Sequence, residues 1–424
     1  MFDLIVKNAT LADGRTGMDV ACKGGVIVAV ERGITAEAEA QIEARGYLLS
    51  PPFVDPHFHM DATLSLGKPR MNVSGTLLEG IGLWGELKPL QTVEEIADRA
   101  LTYCELAIAK GIGAIRSHVD TCDDDLKGVQ ALLEVREKIR DYIDLQLVAF
   151  PQDGLLRDPG ALENTIRALD MGVDVVGGIP HFERTMEEGA QSVRTSCEIA
   201  AERGLMVDLH CDESDDPLSR HIEMLAFEAQ RLGLQGRVTG SHLTSMHSMD
   251  NYYVSKLIPL MAEAGVHAVP NPAINIMLQG RHDSYPKRRG LTRVRELRDA
   301  GITVGFGSDC MMDPWYSLGH ADMLDIAFMG LHVGQLSSVE DMAWCFNAVT
   351  ENSARLMRLE RYGVAEGCDA NFVLLQARDK IEAVRLRAHR LAVVRRGRVI
   401  SSSDEITHDL TVLSGASVNE ARLP

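Results

Sequence analysis

Seven times in this chain a short apolar run begins where a helical run gives out, usually at a glycine, and no other feature restricts the fold as much. Helical stretches rich in Ala, Leu and Glu cover 92–110, 125–139, 161–171 and 191–203, and the apolar runs fall at 111–118, 143–150, 172–179, 204–211, 236–242, 265–270 and 301–309. Helix, glycine stop and buried strand is the order of a parallel α/β architecture, whose strands are covered on both faces. With the apolar run ahead of His57 there are eight strands, the number that closes a (β/α)8 barrel. An open doubly wound sheet would call for a glycine-rich phosphate loop after an early strand, and none is present.

The two ends of the chain read differently. Short apolar runs at 4–6, 8–10, 20–22 and 26–30, with a turn at Gly24 and Gly25, predict a small antiparallel sheet, and 370–375 and 391–400 repeat that texture around a turn at Gly397. Neither end has enough strands for its own core, so the two are expected to pair. The division is then 1–50 and 361–424 in the terminal domain and 51–360 in the barrel. A surplus of 61 acidic over 43 basic residues argues against a nucleic-acid polymer as partner, since counterion release needs a basic surface. Eight scattered cysteines without a CxxC pair predict reduced thiols in a cytoplasmic protein. No signal peptide is expected from the N-terminus, and no apolar stretch is long enough to cross a membrane.

In a barrel the chemistry gathers at the C-terminal ends of the strands. Read in order, those ends carry His57 and His59, then His118, Gln152, His181 with Glu183, His210 with Glu213, His242, Asn271, and Asp309 with Cys310. Buried imidazoles and carboxylates cost free energy unless paired or ligated, so this concentration predicts a site. The spacing of His57 and His59 turns both rings to one face of a strand. With His210 and Asp309 they make a mixed nitrogen and carboxylate shell, which suits zinc or iron(II). A second ion would want a bridging ligand, commonly a modified lysine on strand four; 173–179 has no lysine, so one ion is expected. Glu213 falls just beyond the strand, where it reaches a substrate and moves a proton, while His242 and Asp309 hold a water. His118 and His181 are open between packing and support of the ligands, as are Asp55 and Asp61 between capping backbone and orienting an imidazole. The remaining histidines, His221 among them, are read as ordinary core or surface residues.

Several segments together resemble the amidohydrolase superfamily and, within it, cytosine deaminases. They are His-Phe-His-Met-Asp at 57–61, Val-Ala-Phe-Pro-Gln at 148–152, Gly-Ile-Pro-His-Phe-Glu at 178–183, His-Cys-Asp-Glu at 210–213 and Ser-His-Leu-Thr-Ser-Met-His-Ser at 241–248. Leu-Gln-Gly-Arg at 278–281, Tyr-Pro-Lys-Arg-Arg-Gly at 285–290 and Asp-Pro-Trp-Tyr at 313–316 complete the set. The resemblance implies a barrel with a mononuclear iron or zinc site, a β-sandwich from the two termini, and a homo-oligomer, often a hexamer. It implies metal ligation by His57, His59, His210 and Asp309, and action of Glu213 and His242 on the reacting centre. Gln152 would read the base edge with its amide donor and acceptor, and Trp315 would close the pocket with an apolar face.

One position departs from the pattern. A typical cytosine deaminase has two consecutive aspartates at the end of strand eight, and this chain has Asp309 followed by Cys310. The ligating carboxylate is kept; the one beside the substrate ring is replaced by a small, polarizable thiol. The reading is therefore hydrolytic deamination of an aminopyrimidine, cytosine or 5-methylcytosine. The rivals are hydrolysis of a cyclic amide, aminotriazine or aminopurine, and a non-catalytic binding barrel, against which the intact set of His57, His59, Glu213, His242 and Asp309 speaks.

Overall fold

A computed structural model gives the architecture and describes residues 1–409 and 417–422. Residues 410–416 and the last two, all within the expected terminal segment 361–424, lie outside that description. Strands β1 (Phe2–Leu11), β2 (Met18–Lys23), β3 (Val26–Glu31), β4 (Ala38–Glu43) and β5 (Leu48–Ser50) precede seven parallel strands. These are β6 (Phe53–Phe58), β7 (Ile112–Asp120), β8 (Asp144–Phe150), β9 (Val175–Gly178), β10 (Met206–Cys211), β11 (Val238–His242) and β12 (Val266–Val269), hydrogen-bonded in sequence order.

The eighth barrel strand differs from the expectation of a regular ladder. Residues 303–309 run between β12 and β6 as an extended segment that touches each neighbour through a single bridge residue, Val304 to Ala268 and Asp309 to Phe58. Closure rests on a few backbone bonds: Gly305 N–H to Ala268 O at 3.1 Å, Gly307 N–H to Pro270 O at 3.2 Å, and Asp309 N–H to His57 O at 2.8 Å. Crowding explains the irregularity. A Cβ at Gly305 would lie 2.6 Å from Ser353 Oγ, and one at Gly307 would lie 2.3 Å from Asn271 Oδ1. Asp55 secures the seam from the first strand, its carboxylate accepting from the backbone N–H of Ser308 (3.1 Å) and from the Ser308 hydroxyl.

Helices α1 (Leu77–Leu87), α2 (Val93–Ala109), α3 (Lys127–Ile139), α4 (Ala161–Asp170), α5 (Met186–Arg203), α6 (His221–Arg231), α7 (Asn251–Glu263) and α8 (Pro272–Leu278) alternate with the barrel strands. Helix α2 begins where Thr92 and Glu95 cap each other reciprocally. Helix α5 starts five residues ahead of the sequence reading, because Thr185 caps it by accepting from Glu188 N–H at 3.1 Å. Within it a Cβ at Gly189 would lie 2.1 Å from His221 Nε2, so close packing requires the glycine.

The ends of the chain do meet in one sheet. Strands β13 (Phe372–Leu375), β14 (Arg390–Arg395) and β15 (Arg398–Ser402) join the N-terminal strands in the order β15-β14-β13-β5-β1-β2-β3, with β4 also on β1. Leu4, Val6, Leu49, Phe372, Leu374 and Val394 share its core. The sheet is mixed rather than antiparallel, since β1 runs parallel to both β4 and β5. Among the described residues no helix is long and apolar enough to cross a membrane.

Inside the barrel, beneath the histidines, lies an ion pair. Arg116 on β7 donates to the Asp208 carboxylate on β10 at 2.9 Å, to the Gln146 amide oxygen at 3.1 Å and to the carbonyl of Leu356 at 3.4 Å, with Arg116 and Asp208 both fully buried. Removing one partner of such a pair strands the other's charge in a dry interior. Arg116→Met is expected to lower stability by about 3–5 kcal/mol, read as a fall in the denaturant midpoint at constant m value. A midpoint unchanged within error would show that the pair does not hold the barrel.

Candidate metal centre and substrate pocket

His57 and His59 leave the end of β6 on the same side, and β10 brings His210 across the barrel to meet them. His57 Nε2 and His59 Nε2 stand 3.2 and 3.3 Å from Asp309 Oδ1, and His59 Nε2 stands 3.0 Å from His210 Nε2. Four donors on one ion, with bonds of about 2.0–2.1 Å at tetrahedral angles, lie roughly 3.3 Å apart. The donor set therefore fits a single divalent ion. Both ring nitrogens of His57 and Nδ1 of His210 are buried and, among the described residues, have no hydrogen-bond partner. A buried Nε2 of His57 without a hydrogen bond is the state expected of a nitrogen kept for a metal.

A second cluster of potential ligands, His57, His118 and Asp208, lies deeper. There the carboxylate already serves Arg116 and the Ser241 hydroxyl, the latter at 2.7 Å, so its charge is spoken for. His118 instead packs against the ligand rings, its centroid 4.1 Å from that of His57 and 4.6 Å from that of His210. Strand β9 reads Val-Val-Gly-Gly and offers no bridging side chain.

Glu213 and His242 face the same space, with Glu213 Oε1 3.4 Å from His242 Nδ1. Burial, and then the negative charge of Asp309, pushes the Glu213 carboxyl well above its usual range. Burial holds His210 and His242 well below the ordinary imidazole value. Asp309 goes the other way: although burial opposes it, the imidazoles of His242, His57 and His59 around it hold its carboxyl well below the usual range. Both His242 and Asp309 take a left-handed φ of 68°, unusual for residues other than glycine and common where function over-determines the backbone.

Several supporting residues were missed in the sequence. The backbone N–H of Asn271 donates to Asn275 Oδ1 at 3.0 Å, which settles the orientation of that amide. Its nitrogen then donates to His242 Nδ1 at 2.9 Å, so the neutral ring carries its proton on Nε2. The spacing of Asn271 and Asn275 across the start of a helix was the available signal. Asp212 holds the strand-five loop: its carboxylate accepts from Ser219 Oγ at 2.7 Å, His221 Nδ1 at 2.8 Å and Ile222 N–H at 2.9 Å. His221, read as ordinary, is thus a buried anchor for the loop that presents Glu213. Asp61 caps backbone, accepting from Asp120 N–H at 2.9 Å. His181 lines the pocket, with Nδ1 3.0 Å from the His210 carbonyl.

The pocket above the metal centre is a cavity of about 190 Å³ lined by His59, Gln152, Glu213, His242, Asp309, Cys310 and Trp315. That is below the roughly 300–1,000 Å³ of sites for drug-sized ligands and suits a single ring. Among the described residues nothing hydrogen-bonds to the Gln152 amide, which leaves its donor and acceptor for a ligand. Trp315 and Cys310 belong to one apolar cluster with Trp84, Ile274 and Leu278. Helix α1 lies directly on Trp315, since a Cβ at Gly80 would come within 2.5 Å of the indole. Trp84 fixes that helix by donating to Asp120 Oδ2 at 2.7 Å, and Lys88 at its end reaches Asp120 at 2.8 Å and Asp153 at 2.6 Å. Burial, with Asp309 and Asp313 nearby, pushes the Cys310 thiol well above its normal range, so it stands as a neutral wall.

Known proteins resemble the chain along nearly its whole length. Residues 40–418 match the family model described as "Amidohydrolase family". A crystal structure of 5-methylcytosine deaminase from Klebsiella pneumoniae, liganded with 5-fluorocytosine, superposes with a TM-score of 0.92 at 44% identity, over 94% of this chain and 98% of that one. The N-isopropylammelide isopropyl amidohydrolase of Pseudomonas sp. (strain ADP) is 29% identical over 96% of this chain and 98% of its own length. The pterin deaminase of Rhizobium rhizogenes is 28% identical over 96% and 92%.

The donor separations lead to a metal prediction. The purified chain is expected to carry one divalent ion, and a chelator should abolish turnover until zinc, iron(II) or manganese is returned. Metal analysis giving two tightly held ions per active chain would overturn the single-ion arrangement.

Proposed function

This chain belongs to the amidohydrolase family, and on that premise we propose that it deaminates 5-methylcytosine and cytosine, releasing ammonia. The observation that carries this reading is a pocket of single-ring size whose wall at Cys310 is apolar, on a chain 44% identical to a 5-methylcytosine deaminase. Water adds its oxygen to the amine-bearing ring carbon, the carbon–nitrogen bond breaks, and the two water protons leave with the amine and on the ring nitrogen. Cytosine gives uracil, and 5-methylcytosine gives thymine.

His57, His59, His210 and Asp309 hold the ion, which when bound polarises water and lowers its pKa toward neutrality. The donor set suits zinc or iron(II). The Asp309 carboxylate and His242 hold the attacking water by hydrogen bonds. Glu213, neutral in its buried position, gives its proton to the ring nitrogen as the carbon becomes tetrahedral. Gln152 reads the carbonyl and ring nitrogen of the base, Trp315 covers its face, and Cys310 meets the substituent beside the amine. A cytoplasmic homo-oligomer completes the reading, supported by eight free cysteines and the family resemblance.

Glu213→Gln keeps the shape and removes the proton, so turnover should fall by at least about 10²-fold with metal content unchanged. Near-normal turnover in that variant would take Glu213 out of the mechanism. Substrate choice is tested by kcat/KM for both bases in the native chain and in Cys310→Asp. One buried methyl is worth about 1 kcal/mol, so 5-methylcytosine should be used as well as cytosine or several-fold better. Cys310→Asp should shift the ratio toward cytosine. A strong native preference for cytosine, or an unmoved ratio, would refute the methyl pocket. An aminotriazine belongs in the same panel because of the relative that acts on N-isopropylammelide.

A further inference from the structure

Three consecutive residues at the end of the closing segment face three ways. Asp309 lines the substrate pocket, Ser308 lines a second cavity on the far side of the same segment, and Cys310 lines both. The second cavity measures about 310 Å³, and its walls include Phe58, Met311, Tyr316, Ile326, Phe328 and Met329. The chain turns tightly here, with Cys310 N–H donating to the Ser308 carbonyl at 2.9 Å and Asp309 at a φ of 68°. That turn sends the carboxylate to the metal centre and leaves the cysteine side chain standing between the two spaces.

Cys310 is buried, and the Asp313 carboxyl lies close enough to bear on its thiol. The same carboxyl accepts from the backbone N–H groups of Trp315 and Tyr316, each at 2.9 Å. Asp313 is buried and holds the backbone of the indole wall beside the partition.

We propose that Cys310 is the partition that sets the size limit for the substituent beside the amine, and that the cavity behind it is a ready-made subsite for cytosines with alkyl groups longer than methyl. This rests on the pyrimidine reading above and deepens it. The chemistry is unchanged: 5-ethylcytosine and water give 5-ethyluracil and ammonia. What changes is the volume open to the substituent, because an extra methylene in a closed pocket forces strain that the second cavity would relieve.

The test compares kcat/KM for cytosine, 5-methylcytosine and 5-ethylcytosine in the native chain, Cys310→Ala and Cys310→Gly, with metal content measured in each. The native chain should favour methyl over ethyl by about tenfold or more, and truncation should narrow or invert that ratio by a similar factor. The ratio is internal to each protein, so a general loss of activity does not imitate the effect, and the Ala variant serves if the Gly variant does not fold. A ratio unmoved by both truncations would overturn the proposal, as would a native chain that uses the ethyl and methyl bases equally. If the native chain deaminates neither cytosine nor 5-methylcytosine, the pyrimidine reading itself fails, which is a distinct result.

Discussion

The arrangement depends on two backbone hydrogen bonds at the barrel seam. His59 N–H donates to the Asp309 carbonyl at 2.9 Å, and Asp309 N–H donates to the His57 carbonyl at 2.8 Å. Together they clamp the last segment across Phe58, whose ring stacks on Tyr103 with centroids 4.1 Å apart. Register alone would turn the Asp309 side chain the same way as Phe58, away from the histidines. The left-handed φ of Asp309 reverses it, and the carboxylate meets both imidazoles. Barrel closure and assembly of the ligand set are thus one event, and Asp55 fastens it through Ser308.

Burial then sorts the charges. His118, His210 and His242 are pressed toward the neutral form by desolvation, with neighbouring imidazoles adding to the effect. Glu213 is pressed the same way, whereas Asp309 is driven to ionise and, against the burial of His59, its carboxylate raises that imidazole. A divalent ion held by His57, His59, His210 and Asp309 would be balanced by one carboxylate and would supply an excess of positive charge in a low-dielectric space. Neutral Glu213 completes the logic, because an acid must still hold its proton when the ring nitrogen needs it.

What could be seen in the sequence was whatever leaves a local pattern. Buried parallel strands are short apolar runs, helices end at glycine, and a barrel places its polar residues after the apolar run; His57, His59, His210, Glu213, His242 and Asp309 all follow from that, and the structure brings them to one mouth. The supporting partners left no such trace. Asn275, Trp84 and Lys88 matter because of groups 30 or more residues away, as with Asn275 on His242 and Trp84 on Asp120. Strand β4 also escaped, because most of its residues are exposed and lack the alternation that marks a half-buried strand. The closing segment looked like a strand from its apolar content, but the cost of a Cβ at Gly305 or Gly307 is visible only once Ser353, Asn271 and His57 are packed against it.

In the proposed reading the ligating carboxylate and the substrate-facing thiol stand on adjacent residues, which has a further consequence. Asp309 is constrained on every side: by the seam, by two imidazoles, and by a backbone conformation that its neighbours enforce. Cys310 shares that backbone anchorage but spends its side chain on the apolar wall with Ile274, Leu278 and Trp315. A change at 310 therefore alters the shape and polarity presented to the ring without moving a metal donor. The reverse does not hold, since any change at 309 removes a ligand and an end of the seam together. On that reading hydrolytic chemistry and substrate choice are separated by one peptide bond, a separation that would let a single barrel keep its reaction while the base it accepts is redrawn.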